Sequence, residues 1–139
     1  MCRLTGKTPQ EFLDTACEPE WVKKGIPRLR SGPCLFLRDR KCTVYPVRSL
    51  ICRFYLCTDI LGDTEELIYA AVTAGMSATF CWLQEQGLLQ QSHQGLTSFD
   101  RSLLELAESY RCRPATLQFL EADSYQDVAL KHFISTVSP

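Results

Sequence analysis

Cys34, Cys42, Cys52 and Cys57 fall within 24 residues of a 139-residue chain that holds eight cysteines. Thiolates are soft ligands, and four of them close a tetrahedral zinc site or hold one iron–sulfur cluster. The gaps of seven, nine and four residues are loop spacings, unlike the two-residue gap of zinc knuckles, and they do not choose between the two metals. A four-thiolate centre of either kind carries a net charge of about −2 and is stabilised by hydrogen-bond donors around its sulfurs. Arg48 and Arg53 stand beside Cys52, with Arg38, Arg40 and Lys41 close by in the chain, and are the candidate donors. The bland alternative is that these cations form an ordinary solvated face.

The remaining titratable residues offer less. Cys17, Cys81 and Cys112 stand alone and read as packed or incidental thiols, since free Cys packs as a small hydrophobe. Cys2 is equally isolated, and His93 and His132 have no ligand partner at helical spacing. Gly6-Lys7-Thr8 ends like a phosphate-binding loop without its first glycine, and neither a His-Glu-x-x-His nor a nucleophile elbow is present, so the reading leans away from an enzyme. A basic stretch, Lys23–Arg53, interleaves nine Lys/Arg with Trp21, Phe36, Tyr45 and Phe54 nearby. It has the composition of a nucleic-acid surface but not a nucleic-acid fold, which disfavours that partner.

Three phrases recur in order around the cysteines: Cys34-Leu35-Phe36-Leu37, Cys42-Thr43-Val44-Tyr45 and Arg48-Ser49-Leu50-Ile51-Cys52-Arg53. Together with Thr5-Gly6-Lys7-Thr8-Pro9-Gln10-Glu11-Phe12-Leu13 upstream, they resemble the second half of the YkgJ-type cysteine-cluster family of zinc- or iron-chelating domains. That family includes flagellin lysine N-methylases. The resemblance covers roughly residues 4–57 and implies a zinc ion or an iron–sulfur cluster on the clustered cysteines. The sequence departs from the family at Ser49, where Pro is usual, and it has no counterpart of the family's opening Cys-x-x-Cys-x-x-Cys-Cys cluster. Without that cluster, Cys57 is what brings the set to four.

The elements that must position these residues differ between the two halves. Seven Pro or Gly residues between Pro9 and Pro46 leave room for short pieces only. One is a helix over Pro9–Ala16, with Thr8 as cap and Pro9 in the first position. Leu35–Leu37 and Thr43–Tyr45 have strand-like composition around a turn at Arg38–Lys41. So little regular structure calls for a covalent or metallic staple.

Beyond Asp63 the pattern is helical. Leu67, Ala70, Ala71, Ala74, Ala78, Cys81 and Trp82 predict one buried face of a helix running to about Gln86, stopped by Gly87, with small residues in its middle admitting a close neighbour. A second helix is bracketed by Thr97/Ser98 and Pro114, with Leu103, Leu104, Leu106, Ala107 and Tyr110 apolar. A third starts at Pro114 and runs to Glu121, and a last one spans Ser124–Thr136 with Val128, Phe133, Ile134 and Val137 inward. Gln90–Gly95 is a polar loop.

The expected fold is therefore mainly α: an irregular, metal-stapled cysteine region over 1–62, then a bundle of three to four helices over 63–139 packing on it. Residues 1–57 carry a charge balance of +6 and residues 58–139 one of −7, which suggests that the acidic helical half faces a protein partner. No apolar run approaches the ~20 residues of a membrane span, and Met1–Gly25 lacks a signal-peptide layout, so the expected setting is cytoplasmic, without membrane insertion. Eight cysteines then favour metal binding, structural or electron-transferring, over disulfides. The rival is a metal-free interaction module or a subunit of a larger assembly.

Overall fold

The computed structural model describes residues 5–49, 52, 63–89, 94–129 and 131–134. Cys2, Arg53, Cys57, His93 and most of the Gln90–Gly95 loop lie outside them. The described chain is mainly α, with helices α1 (Pro9–Ala16), α2 (Pro19–Lys23), α3 (Asp63–Glu85), α4 (Ser98–Ser109), α5 (Pro114–Glu121) and α6 (Lys131–Ile134). Its sheet is a single hairpin of two-residue strands, β1 (Leu37–Arg38) and β2 (Lys41–Cys42).

Local chemistry sets the helix ends. Thr8 caps α1 in a reciprocal box: its hydroxyl accepts from the Glu11 N–H at 3.2 Å, and the Glu11 carboxylate accepts from the Thr8 N–H at 2.7 Å. Thr97 and Asp100 repeat the arrangement at α4. α3 closes at Gly87, whose φ of 67° is the left-handed position that ends many helices. There the Leu88 N–H reaches back to the Leu83 carbonyl at 2.9 Å and the Gly87 N–H to that of Gln84.

α3 organises the molecule, packing against α4, α5 and α6. The sequence implies one buried face, whereas α3 feeds two apolar clusters. Towards its C-terminal end Phe80 and Leu83 meet Leu13, Cys17 and Ile26 from the first thirty residues, together with Leu89, Leu96 and Ala107. Towards its N-terminal end Ala71 and Ala74 meet Ala115, Val128 and Phe133, and Phe119 packs on Phe133 with ring centres 5.7 Å apart. Between them Ser77 is fully buried and donates to the Ala107 carbonyl at 2.6 Å, which fixes α4 against the small-residue stretch of α3. Trp82, expected inside, is 40% exposed, and Leu106 on α4 is exposed as well.

Two further expectations need correction. Ser124–Thr136 is not one helix: a 3-10 turn at Tyr125–Asp127 gives way to an extended Val128 before α6 begins at Lys131. The Ser124 hydroxyl accepts from the Gln126 N–H, holding the tight turn, and the extended residue delivers Val128 into the second cluster. α3 has the length the sequence implies, but the expectation that no apolar run approaches a membrane span does not hold: an 18-residue stretch within Thr64–Glu85 reaches a mean hydropathy of 1.2, and the helix is long and apolar enough to cross a bilayer. Of that stretch, 44% is buried within the fold, where Ala71, Ala74, Phe80 and Leu83 enter the two clusters.

Candidate functional site

The cysteine segment is built from backbone bonds with hardly any burial. Asp39 and Arg40 both take positive φ (47° and 63°), as a two-residue hairpin turn with the right twist requires. That turn pairs Leu37 with Cys42 and Arg38 with Lys41, so the paired strands lie closer to the turn than composition suggested. The Cys34 carbonyl accepts from the Leu37 N–H at 3.0 Å, and the Phe36 carbonyl accepts from both the N–H and the hydroxyl of Thr43. Cys34 thus stands at the entry of the hairpin and Cys42 at its exit.

Two apolar contacts fasten this segment to the fold. Phe36 stacks on Phe12 of α1, with ring centres 6.1 Å apart and planes 9° from parallel, and Val44 is buried. Nearly every other residue from Arg28 to Thr43 is exposed, Cys34 included, while Cys42 is half-buried.

After Val44 a 3-10 turn, Tyr45–Val47, leads to Arg48 and Ser49. The Arg48 guanidinium lies over the Tyr45 ring at 4.3 Å, a cation–π contact, and its Nε is shielded from solvent with no hydrogen-bond partner among the described residues. It makes no described bond to a cysteine; the donor found at a sulfur is the Ser49 hydroxyl, 3.2 Å from Cys52 Sγ. The sequence reading missed Ser49 as a donor and Tyr45 as a platform. Their spacings, Ser-x-x-Cys and Tyr-x-x-Arg, were the available signals.

The donor set fits a thiolate-bound metal in kind, with soft sulfurs and a hydroxyl donor at one of them. Its convergence does not follow: among the described residues no group of three or more His, Cys, Asp or Glu is placed to hold a metal ion. Cys34, Cys42 and Cys52 are free thiols there, and the fourth expected ligand, Cys57, lies outside the described residues, as does Arg53. Of the other cysteines, Cys17 and Cys81 are buried and Cys112 is exposed. Burial pushes the Cys17 thiol up from its ordinary pKa, opposed by the nearby Arg30 cation, which keeps it a packing residue.

Arg48 and Ser49 also form one lip of a half-open apolar groove of about 630 Å³ between the 45–49 turn, α3 and α5. A second, more polar groove of about 440 Å³ lies between α3 and α4, bordered by Lys24, Arg101 and Arg111 with Glu105 and Glu108. Compared with models of protein families, with curated proteins and with solved structures, the chain matches none.

Proposed function

We propose that the protein binds a metal, with Cys34, Cys42, Cys52 and Cys57 holding a zinc ion or an iron–sulfur cluster in a structural or electron-transfer role. The observation that carries this reading is the contrast between the cysteine segment's order and its poverty of packing. Residues 28–43 keep a defined hairpin, yet Phe36 and Cys42 are the only ones among them that are not exposed. A segment that buries so little apolar surface lacks the usual means of offsetting its conformational entropy, and a bound metal supplies that free energy directly. The resemblance of its three cysteine phrases to the YkgJ-type chelating domains points the same way, as does the hydroxyl donor at Cys52. The role needs no substrate chemistry, suits a reducing cytoplasm, and leaves the acidic helices to face a protein partner.

One observation favours a second reading. Because the described cysteines do not converge, the chain is also readable as a metal-free interaction module acting through its helices, on which Phe99 and Leu106 are exposed.

Purification without oxygen separates the two. Brown colour with iron and acid-labile sulfide, or colourless protein with one zinc per chain, supports the first; folded, metal-free protein overturns it. Cys52→Ser is expected to release the metal and Cys112→Ser to retain it. Equal metal loss from both would refute the ligand assignment.

A further inference from the structure

Among the described residues, the groove between the 45–49 turn and the helices is lined by one cation and no anion. Val72, Met76 and Trp82 of α3, Phe119 and Leu120 of α5 and Val47 make its walls. No Asp or Glu is among the described residues that line it. Of the hydroxyl-bearing residues on its walls, Thr79 donates to the Gly75 carbonyl at 2.8 Å and Ser49 to Cys52 Sγ, and Tyr125 lines it as well. At the lip, the Arg48 guanidinium lies over the Tyr45 ring, and its Nε has no hydrogen-bond partner among the described residues.

A guanidinium beside an apolar groove that holds no acidic side chain among its described lining has no counter-charge there, and an occupant with an anionic end would supply one. The occupant's chemistry follows from the walls. A peptide would lay backbone amides against walls that are mostly apolar side chains, leaving most of those amides unsatisfied. A hydrocarbon chain has nothing to satisfy, and a carboxylate at its end matches a guanidinium in charge and in planar geometry. The volume lies within the range of small-molecule sites.

We propose that this groove binds a single-chain fatty carboxylate, its hydrocarbon along α3 and α5 and its carboxylate on Arg48. The apolar surface of α3 outside its two core clusters then has a use, because Val72 and Trp82 form the floor against which the chain lies.

The test is calorimetric titration of the full-length protein, its metal content measured, with sodium decanoate and with 1-decanol below their aggregation limits. Decanoate is expected to bind about tenfold or more tightly than decanol, as one charge-assisted bond implies. Arg48→Gln should remove that preference and leave decanol binding unchanged, while Val72→Phe, which fills the floor, should weaken both. Equal affinity of the two ligands for the wild type, or no saturable binding, overturns the proposal without recourse to any variant. A decanoate preference that survives in folded Arg48→Gln overturns the role of the arginine, and tighter binding of a peptide carboxylate than of decanoate overturns the lipid class. Binding is read apart from metal content, so metal-free protein that prefers decanoate leaves this proposal standing.

Discussion

The hairpin segment from Ser31 to Ser49 and the helices α3–α5 are assembled by different means. In the helices, order comes from periodic apolar side chains: Ala71, Ala74, Phe80 and Leu83 each enter a cluster shared with neighbouring elements. In the hairpin, order comes from short-range backbone bonds such as Thr43 to Phe36, with Phe36 and Val44 as the apolar anchors. Chain position does not draw this line, since Leu13, Cys17 and Ile26 belong to the same cluster as Phe80. Burial removes water from side chains and is spread over many contacts, so it tolerates the absence of any one ligand. A hairpin of two-residue strands is marginal by itself and depends on what is fastened to it. Three of the four proposed ligands that the structure describes or borders, Cys34, Cys42 and Cys52, lie in or directly after the region of the second kind.

The strongest way to break this contrast is to hollow out the helical side. Phe80 is 7% exposed and touches both the N-terminal elements and the end of α3. Phe80→Ala is expected to destabilise the fold by about 3–5 kcal/mol, the range for deleting a buried aromatic ring. Denaturant titration followed by circular dichroism measures it. A loss below ~1 kcal/mol would mean that this cluster does not hold the molecule together.

How much of this was readable from sequence follows from the same division. Thr8, Pro9, Gly87, Thr97 and Pro114 mark helix ends by local stereochemistry, and the starts of α1, α4 and α5 fall where those residues place them, while α4 ends at Ser109, short of Pro114. α2 went unseen because five residues between Pro19 and Gly25 carry no periodic signal. Trp82 was misplaced because the sequence shows one apolar stripe, whereas neighbours on two sides select Phe80 and Leu83 as well as Ala71 and Ala74. The split of the last helix depends on Val128 being drawn into a cluster that only tertiary packing creates. At the site, the order of the cysteines is legible, but loop spacings of seven and nine residues fix no angle or distance between thiols. Arg48 shows this most plainly: its charge was evident, while its place on Tyr45 at the groove's lip required the 3-10 turn.

A smaller effect sharpens the comparison at α4. Thr97→Ala removes a capping hydroxyl and is expected to cost about 1 kcal/mol. It should also carry a pH signature, since the bonds from the Thr97 hydroxyl and N–H hold the Asp100 carboxyl below the ordinary carboxylate range. A carboxyl whose pKa is lowered on folding contributes stability at pH values above its unfolded pKa of about 3.9 and loses it as pH falls through the folded value. The gap between wild type and variant should therefore be full at pH 7 and narrow below about pH 4. A gap that stays constant into acid would show that the hydroxyl acts on the helix N–H alone, without Asp100.

The smallest expected effect lies in the hairpin and decides whether the contrast holds. Leu37 is 52% exposed although it sits in β1 opposite Cys42. If backbone bonds and thiols hold this segment, truncating that side chain leaves both intact, and Leu37→Ala should change stability by no more than ~0.5 kcal/mol, as at ordinary surface positions. The same substitution should leave metal content untouched, because Leu37 contributes no ligand. A loss above ~1 kcal/mol would place Leu37 in an apolar contact that matters and make the hairpin a packed element like α3. Unchanged stability with lowered metal content would instead assign Leu37 to keeping Cys42 in register with the turn at Cys34, which would make the two-residue ladder the scaffold of the metal site.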